Sequence, residues 1–172
     1  MATTIQQANL TALTSFLPAG KRGSQYRDCY KQNRHRVYAL SFWMTDNELA
    51  AEDLMHSTFC RVFATNAQAS PEFVDRILIA ELREQGPLGP LTLYEPLCQE
   101  PLNVRSNTLR THLERAIVQV PRTERMIFLL HDVEGYDHSR IARTLGLTEK
   151  ESQYGLHQAR LRVRSLVSAM PR

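Results

Sequence analysis

The chain has 172 residues, 42% of them hydrophobic and 23% charged, a balance that excludes a disordered protein and leaves room for one domain or two small ones. No run approaches the roughly 18 consecutive apolar residues of a membrane span, and Met1 to Leu17 lacks a basic residue ahead of its apolar patch, so neither a secretory signal nor a membrane partner is expected. Net charge is +3, and the three cysteines, Cys29, Cys60 and Cys98, are odd in number and far apart, which argues against a disulfide scaffold or a zinc site and suits a reducing cytoplasm.

Charge is segregated along the chain. Lys21, Arg22, Arg27, Lys31, Arg34 and Arg36 stand against Asp28 alone, whereas Glu72, Asp75, Glu81, Glu84, Glu95 and Glu100 dominate the middle. After Ser152 there is no acid, while Arg160, Arg162, Arg164 and Arg172 accumulate. A single cluster of this kind is usually a solvated helix face; basic ends around an acidic middle raise the case for a polyanion contacted at two places.

The predicted elements are all helical. Tyr26 to Met44 follows Ser24 and aligns Tyr26, Tyr30, Val37, Leu40 and Met44. Thr45 and Glu48 have the spacing of a capping box. The helix they open carries Ala51, Leu54, Met55, Thr58, Phe59, Val62 and Phe63 as a buried stripe, with Cys60 expected as a small core residue. Ser70-Pro71 opens a third helix that runs to about Gln85. Gly86-Pro87-Leu88-Gly89-Pro90, then Pro96 and Pro101, cannot sustain a helix and read as a linker.

The second half resumes after a Ser106 or Asn107 cap, with Leu109, His112, Leu113, Ala116, Ile117 and Val120 in helical register. Pro121 restarts the chain, Met126 to Val133 is an apolar helix stopping at Gly135, and Asp137 to Leu145 is a short helix. Gly146-Leu147 makes a turn, and Thr148 with Glu151 forms a second capping box. The last helix aligns Leu156, Ala159, Val163, Leu166 and Met170. The expected fold is all-α, with two small helical domains: an N-terminal tail over 1–23, a first domain over 24–85, a Pro/Gly-containing linker over 86–106, and a second domain over 107–172.

The short helix, glycine turn and capped long helix between Asp137 and Arg164 have the proportions of a helix-turn-helix, in which the first helix braces a second whose N-terminal residues enter a major groove. Many helical hairpins share that outline, so the pattern is weakly specific alone. No metal spacing, glycine-rich phosphate loop or nucleophile elbow occurs, and Glu52 and Asp53, adjacent on a helix, diverge too much to act as a catalytic pair. No enzymatic activity, catalytic residue, metal or cofactor is expected.

Leu113 to Val167 resembles region 4 of the extracytoplasmic-function (ECF) sigma factors of the sigma-70 family. The resemblance rests on Val120-Pro121, Arg125, Asp132-Val133-Glu134-Gly135, Ile141-Ala142, Leu145-Gly146 and Ala159-Arg160, in that order. In the first half, Asp46, Ala51, Glu52, Asp53, Leu54, Phe59, Arg61, Val62 and Phe63 are similar to region 2 of the same family. The resemblance implies a dissociable subunit of bacterial RNA polymerase. Region 2 docks on the clamp helices of the β′ subunit and opens the −10 element; region 4 sits near the β flap and reads the −35 element. Glu52, Asp53, His56 and Arg61 are thereby implied in polymerase binding. Lys150, Gln153, Tyr154 and His157 are implied in base reading, and Arg160, Arg162 and Arg164 in phosphate contact. Promoter DNA, core polymerase, and an anti-sigma factor or a DNA-targeting protein are the implied partners.

Three departures from the family pattern bear on function. His56-Ser57 stands where Gln-Glu is usual, which weakens the expected polymerase contact. The segment from Ala64 to Gln85 is short, lacks tryptophan and bears Glu72, Asp75, Glu81 and Glu84, so strand capture and melting at −10 are expected to be weak. Glu151 to Gly155 replaces a stretch that usually holds two cations. A sigma-derived adaptor or decoy that binds polymerase or an anti-sigma protein without initiating transcription is the alternative; a conventional helix-turn-helix regulator is the third.

Overall fold

The computed structural model describes residues 21–65, 69–92 and 110–170, and among these there is no strand. The described residues form seven α-helices: α1 (Lys21–Thr45), α2 (Glu48–Thr65), α3 (Pro71–Gln85), α4 (Arg110–Gln119), α5 (Arg122–Phe128), α6 (His138–Leu145) and α7 (Glu149–Ala169). α5 runs without a break into a π-helical segment, Leu129–Val133. The Ser106 or Asn107 cap, Leu109, Cys98, Glu95, Glu100, Pro96, Pro101 and Arg172 lie outside the described residues.

Most helix ends follow their local chemistry. Ser70 accepts from Phe73 N at 3.2 Å with Pro71 in the first turn, and Asp137 accepts from Arg140 N at 2.6 Å. The expected Thr45–Glu48 box does not form. Thr45 donates its hydroxyl back to Ser41 O within α1 at 2.9 Å, Asp46 takes a left-handed φ of 53°, and Asn47 caps α2 by accepting from Ala50 N at 3.0 Å. Asparagine is as good a cap as threonine, and placing the sharp turn at Asp46 leaves Asn47 next to the free amides.

The first half is a three-helix unit. Cys29, Val37, Leu40 and Met44 of α1, Ala51, Leu54, Phe59 and Val62 of α2, and Val74, Leu78, Ile79 and Leu82 of α3 are its buried apolar residues. At one end Tyr30 meets Phe59 edge-on, with ring centroids 4.9 Å apart, and Tyr26 meets Phe63. Met55 and Phe63 border the core, and Cys60 is only partly buried, with Sγ 3.5 Å from His56 Nε2.

The second half packs α4, α5 and α6 around α7. Ala116, Ile117, Val120, Met126, Ile127, Leu129, Leu130, Ile141, Leu145, Leu156, Ala159 and Val163 are buried. Leu113 falls outside this core and is 39% exposed; the residues α4 buries, Ala116 and Ile117, lie in its last turn. Thr123, Glu124, Arg125, Thr144, Ser152 and Gln158 are the buried polar residues of this half, and Arg125 is the one cation among them. Its guanidinium donates to Val120 O and Val118 O and reaches Trp43 O in the first half at 3.0 Å. Carbonyls supply no compensating charge, so burial pushes its pKa below the usual arginine range.

The two halves form one packed body. Asp75 of α3, 1% exposed, accepts the Tyr136 hydroxyl at 2.8 Å and Arg140 Nη2 at 3.1 Å on Oδ2. Arg36 Nη2 lies 2.9 Å from Oδ1 as an ion pair without aligned hydrogen-bond geometry. Arg36 also donates to the Tyr136 hydroxyl at 2.7 Å, and the Arg140 guanidinium sits 3.5 Å over the Tyr136 ring. Burial first, then the Asp75 charge, drives the Tyr136 pKa far above the ordinary phenol range. Arg83 adds a bond to Leu145 O at 2.7 Å, at the C-terminal end of α6 where a cation suits the helix dipole.

Candidate nucleic-acid interface

The turn between α6 and α7 is built by three local devices. Gly146 takes φ 71°, which a residue with a side chain rarely adopts, and the Gly146 and Leu147 amides close back on Ala142 O. Thr148 Oγ1 accepts from Glu151 N at 3.2 Å while Glu151 Oε2 accepts from Thr148 N at 2.7 Å, the expected capping box. Those bonds from the Thr148 amide and hydroxyl hold the Glu151 carboxyl below its ordinary pKa. The long helix therefore starts at one residue and in one direction.

Which side of α7 faces water follows from what it buries. Ser152, Gly155, Leu156, Ala159 and Val163 face inward, leaving Lys150, Gln153, His157, Arg160 and Arg164 exposed along one stripe. Tyr154 sits half-buried at its edge. Arg162, implied as a third phosphate contact, is half-buried and engaged; at 3.6 residues per turn it points about 160° away from Arg164. The structure thus assembles six of the seven implied DNA-facing residues and separates Arg162 from them.

Arg160 is not free on that stripe. Its guanidinium forks onto Asp132, Nε to Oδ2 at 2.9 Å and Nη2 to Oδ1 at 2.6 Å. His131 Nδ1 lies 2.8 Å from the same carboxylate. Burial raises the Asp132 pKa, but the bonds from Arg160 and His131 outweigh it and bring it below its usual value. His131 also stacks on His138, with centroids 4.8 Å apart, and His138 Nδ1 lies 3.0 Å from Ser152 Oγ. Asp132, part of the Asp-Val-Glu-Gly signature, thereby ties the end of the π-helical segment to the middle of α7.

Gly155 stands where the family pattern places a cation, and its neighbours explain the exchange. A Cβ built there would lie 2.5 Å from Ile127 Cδ1 and 2.9 Å from Leu91 Cδ2, distances no real side chain tolerates. The chain leaving α3 is seated on this notch. Thr123 Oγ1 donates to Leu88 O and Gly89 O at 2.9 and 2.6 Å, and the buried Glu124 accepts both the amide and the hydroxyl of Thr92 at 2.6 and 2.7 Å. Sequence spacing gave no hint that Leu91 and Gly155 would meet.

In the first half, Glu52, Asp53 and His56 are exposed on one face of α2, next to Leu49, which is 74% exposed. Arg61 belongs elsewhere: it pairs with Glu81 at 2.6 Å and Glu84 at 2.8 Å on α3, bonds that raise its pKa. The acids set against a DNA strand in the sequence reading are therefore engaged with arginines, Asp75 with Arg36 and Arg140, Glu72 at 4.0 Å from Arg140, and Glu81 and Glu84 with Arg61. Among the described residues, no group of three or more His, Cys, Asp or Glu side chains is placed to hold a metal, and no helix is long and apolar enough to cross a membrane.

Comparison with known proteins agrees with this architecture. Residues 110–163 match the family described as Sigma-70, region 4. The chain is 24% identical over 153 residues to the ECF RNA polymerase sigma factor SigE of Mycolicibacterium smegmatis, covering 80% of this chain and 60% of that protein; it spans less than two thirds of the relative's length. Its fold is similar, with a TM-score of 0.62 and 16% identity, to the sigma factor RpoE solved in complex with the anti-sigma factor NepR from Bartonella quintana, over 85% of this chain and 98% of that one.

Proposed function

We propose that this chain, a divergent member of the sigma-70 family of the ECF type, binds core RNA polymerase and directs transcription initiation, with 24–85 acting as region 2 and 107–172 as region 4. The carrying observation is the exposed stripe of α7, Lys150, Gln153, His157 and Arg164 with Tyr154 at its edge, at the start of a rigidly capped second helix. Such a helix reads bases with its first two turns and meets phosphates beyond them. Glu52, Asp53, His56 and the exposed Leu49 form the polymerase-facing patch of α2; Arg61 supports it by holding α3.

The free protein is closed, and promoter engagement opens it. The −10 and −35 elements lie roughly 80 Å apart at about 3.4 Å per base pair, whereas a compact chain of this length spans only about 40 Å. Residues 86–106 can extend to about 70 Å, which is enough once the halves part. Parting costs the Asp75 cluster and the seat of Leu91, so polymerase and DNA must supply that free energy. An adaptor that stays closed on polymerase or on an anti-sigma protein is the second reading, and the Asp75 cluster is the observation that favours it.

Co-purification with core polymerase tests the docking patch. Asp53→Arg should abolish capture while leaving helicity intact, since Asp53 is exposed and a charge reversal there breaks no packing. Capture that survives Asp53→Arg would remove the region 2 assignment. Retention of capture without any transcript from a −35-containing template would select the adaptor.

A further inference from the structure

Two histidines beside α7 carry no base contact, yet they bear directly on Arg160. His131 of the π-helical segment and His138, the first residue of α6, stack with ring centroids 4.8 Å apart and planes 27° from parallel. His131 Nδ1 lies 2.8 Å from Asp132 Oδ1, the same oxygen that holds Arg160 Nη2 at 2.6 Å. On the other side, His138 Nδ1 lies 3.0 Å from Ser152 Oγ of α7. The group is open to water: the side chains of His131, Asp132 and Arg160 are 29%, 23% and 45% exposed, and His138 is partly exposed.

The charges in this corner can be counted. With both imidazoles uncharged, Arg160 and Asp132 cancel, and this part of the stripe offers a phosphate no net charge. A proton on the stack changes that. An imidazolium at His131 makes a charge-assisted bond to Asp132, so one carboxylate then faces two cations and its hold on Arg160 weakens. His131 is faced by Asp132 on its own segment, His138 from α6 and Arg160 from α7; His138 is faced by His131, Arg160, Glu149 of α7 and Asp137. Burial first, then the His131 and Arg160 charges, outweighs Glu149 and Asp137 and lowers the His138 pKa. A polyanion that neutralises Arg160 removes one of those opposing charges, so binding and protonation favour each other.

We propose that the His131–His138 stack makes duplex binding proton-linked: as pH falls the stack takes up a proton, His131 takes over Asp132, and Arg160 is released to a DNA phosphate. The inference rests on the reading that α7 faces a duplex. It assigns Asp132 the role of a latch on Arg160 and the histidine pair the role of its release. Histidine is the side chain suited to this task, because its charge changes between pH 5 and 8.

The test is fluorescence anisotropy of a labelled duplex of mixed sequence with the full chain, across a salt series at pH 7.5 and 5.5. His157, the other histidine on the stripe, is replaced by glutamine throughout so that its own titration does not contribute. At pH 5.5 the slope of log affinity against log salt should steepen by about 1, the signature of one added phosphate contact, and affinity at fixed salt should rise roughly tenfold, as uptake of one proton allows. His131→Gln with His138→Gln should abolish both changes. Asp132→Asn should bind at pH 7.5 as tightly as the parent does at pH 5.5 and respond little to pH. In the free protein, the Arg160 Hε resonance should shift with the same midpoint as the His131 and His138 ring protons; this readout carries the test should a variant lose helicity by circular dichroism. A pH response that survives loss of both rings, one that survives Asp132→Asn, or an Arg160 resonance indifferent to pH would each overturn the proposal. Duplex binding that does not change with pH overturns this proposal alone, whereas duplex binding at neither pH overturns it together with the reading of α7.

Discussion

Replacing Asp75 with asparagine removes the charge that holds the two halves together while nearly keeping the side-chain shape. Asp75 is 1% exposed, and its partners Arg36 and Arg140 have side chains 16% and 25% exposed. Removing one partner of a fully buried ion pair costs about 3–5 kcal/mol. The arginine heads reach water here, so the lower end applies, about 3 kcal/mol. At this chain length each kcal/mol shifts the melting temperature by about 2–4 °C, giving a fall of about 6–12 °C for Asp75→Asn. Tyr136→Phe deletes only the hydroxyl between Asp75 and Arg36 and should cost about 1 kcal/mol. Small-angle scattering supplies the second readout, because a weakened junction lets the halves separate and raises the radius of gyration. A melting temperature within about 2 °C of the parent, with an unchanged radius, would show that the cluster does not hold the molecule closed.

Thr148→Ala should lower stability by about 1 kcal/mol through loss of the capping box, measured by urea denaturation. Gly155→Ala forces Ile127 Cδ1 and Leu91 Cδ2 aside, and should make residues 86–92 more sensitive to limited proteolysis. Acidification should loosen the junction of α6 with α7. Burial, then the His131 and Arg160 charges, lowers the His138 pKa, so the unfolded chain takes up its proton first, and stability present above about pH 6.5 is lost as pH falls through the folded value. Thermal melts at pH 7.5 and 5.5 should differ less for His138→Gln than for the parent. Arg164→Ala should weaken duplex binding for all sequences and reduce the salt slope by about 1, whereas Gln153→Ala should alter sequence preference; selection from a randomised duplex pool separates the two.

What the sequence makes legible is what neighbouring residues decide. Ser70-Pro71, Asp137, Gly146 and the Thr148–Glu151 box act within a turn of the helix they start or stop, so spacing alone locates them. The exposed stripe of α7 follows from its buried one for the same reason. The Thr45 box failed because three neighbouring side chains that can accept from the free amides, Thr45, Asp46 and Asn47, compete there, and only the backbone turn at Asp46 selects Asn47. The Asp75 cluster joins residues from α1, α3 and α6 with Tyr136, and a single chain carries no local sign that Asp75 and Arg140 will meet. Arg61 and Arg160 read as free cations in sequence because their carboxylates, on α3 and in the π-helical segment, are distant along the chain. Gly155 read as a loss of charge, although its missing side chain is what admits Leu91 and Ile127.

Run-off transcription with reconstituted core polymerase tests the central claim most directly, comparing a duplex promoter template with one carrying a pre-opened bubble. The account predicts a transcript that depends on this protein, weak on the duplex and stronger on the bubble, because the closed halves must first be parted and α3 brings no tryptophan to hold the melted strand. It also predicts that Asp75→Asn raises the duplex yield by easing the opening. No protein-dependent transcript on either template, with core polymerase active alongside a known sigma subunit, would contradict a role in initiation.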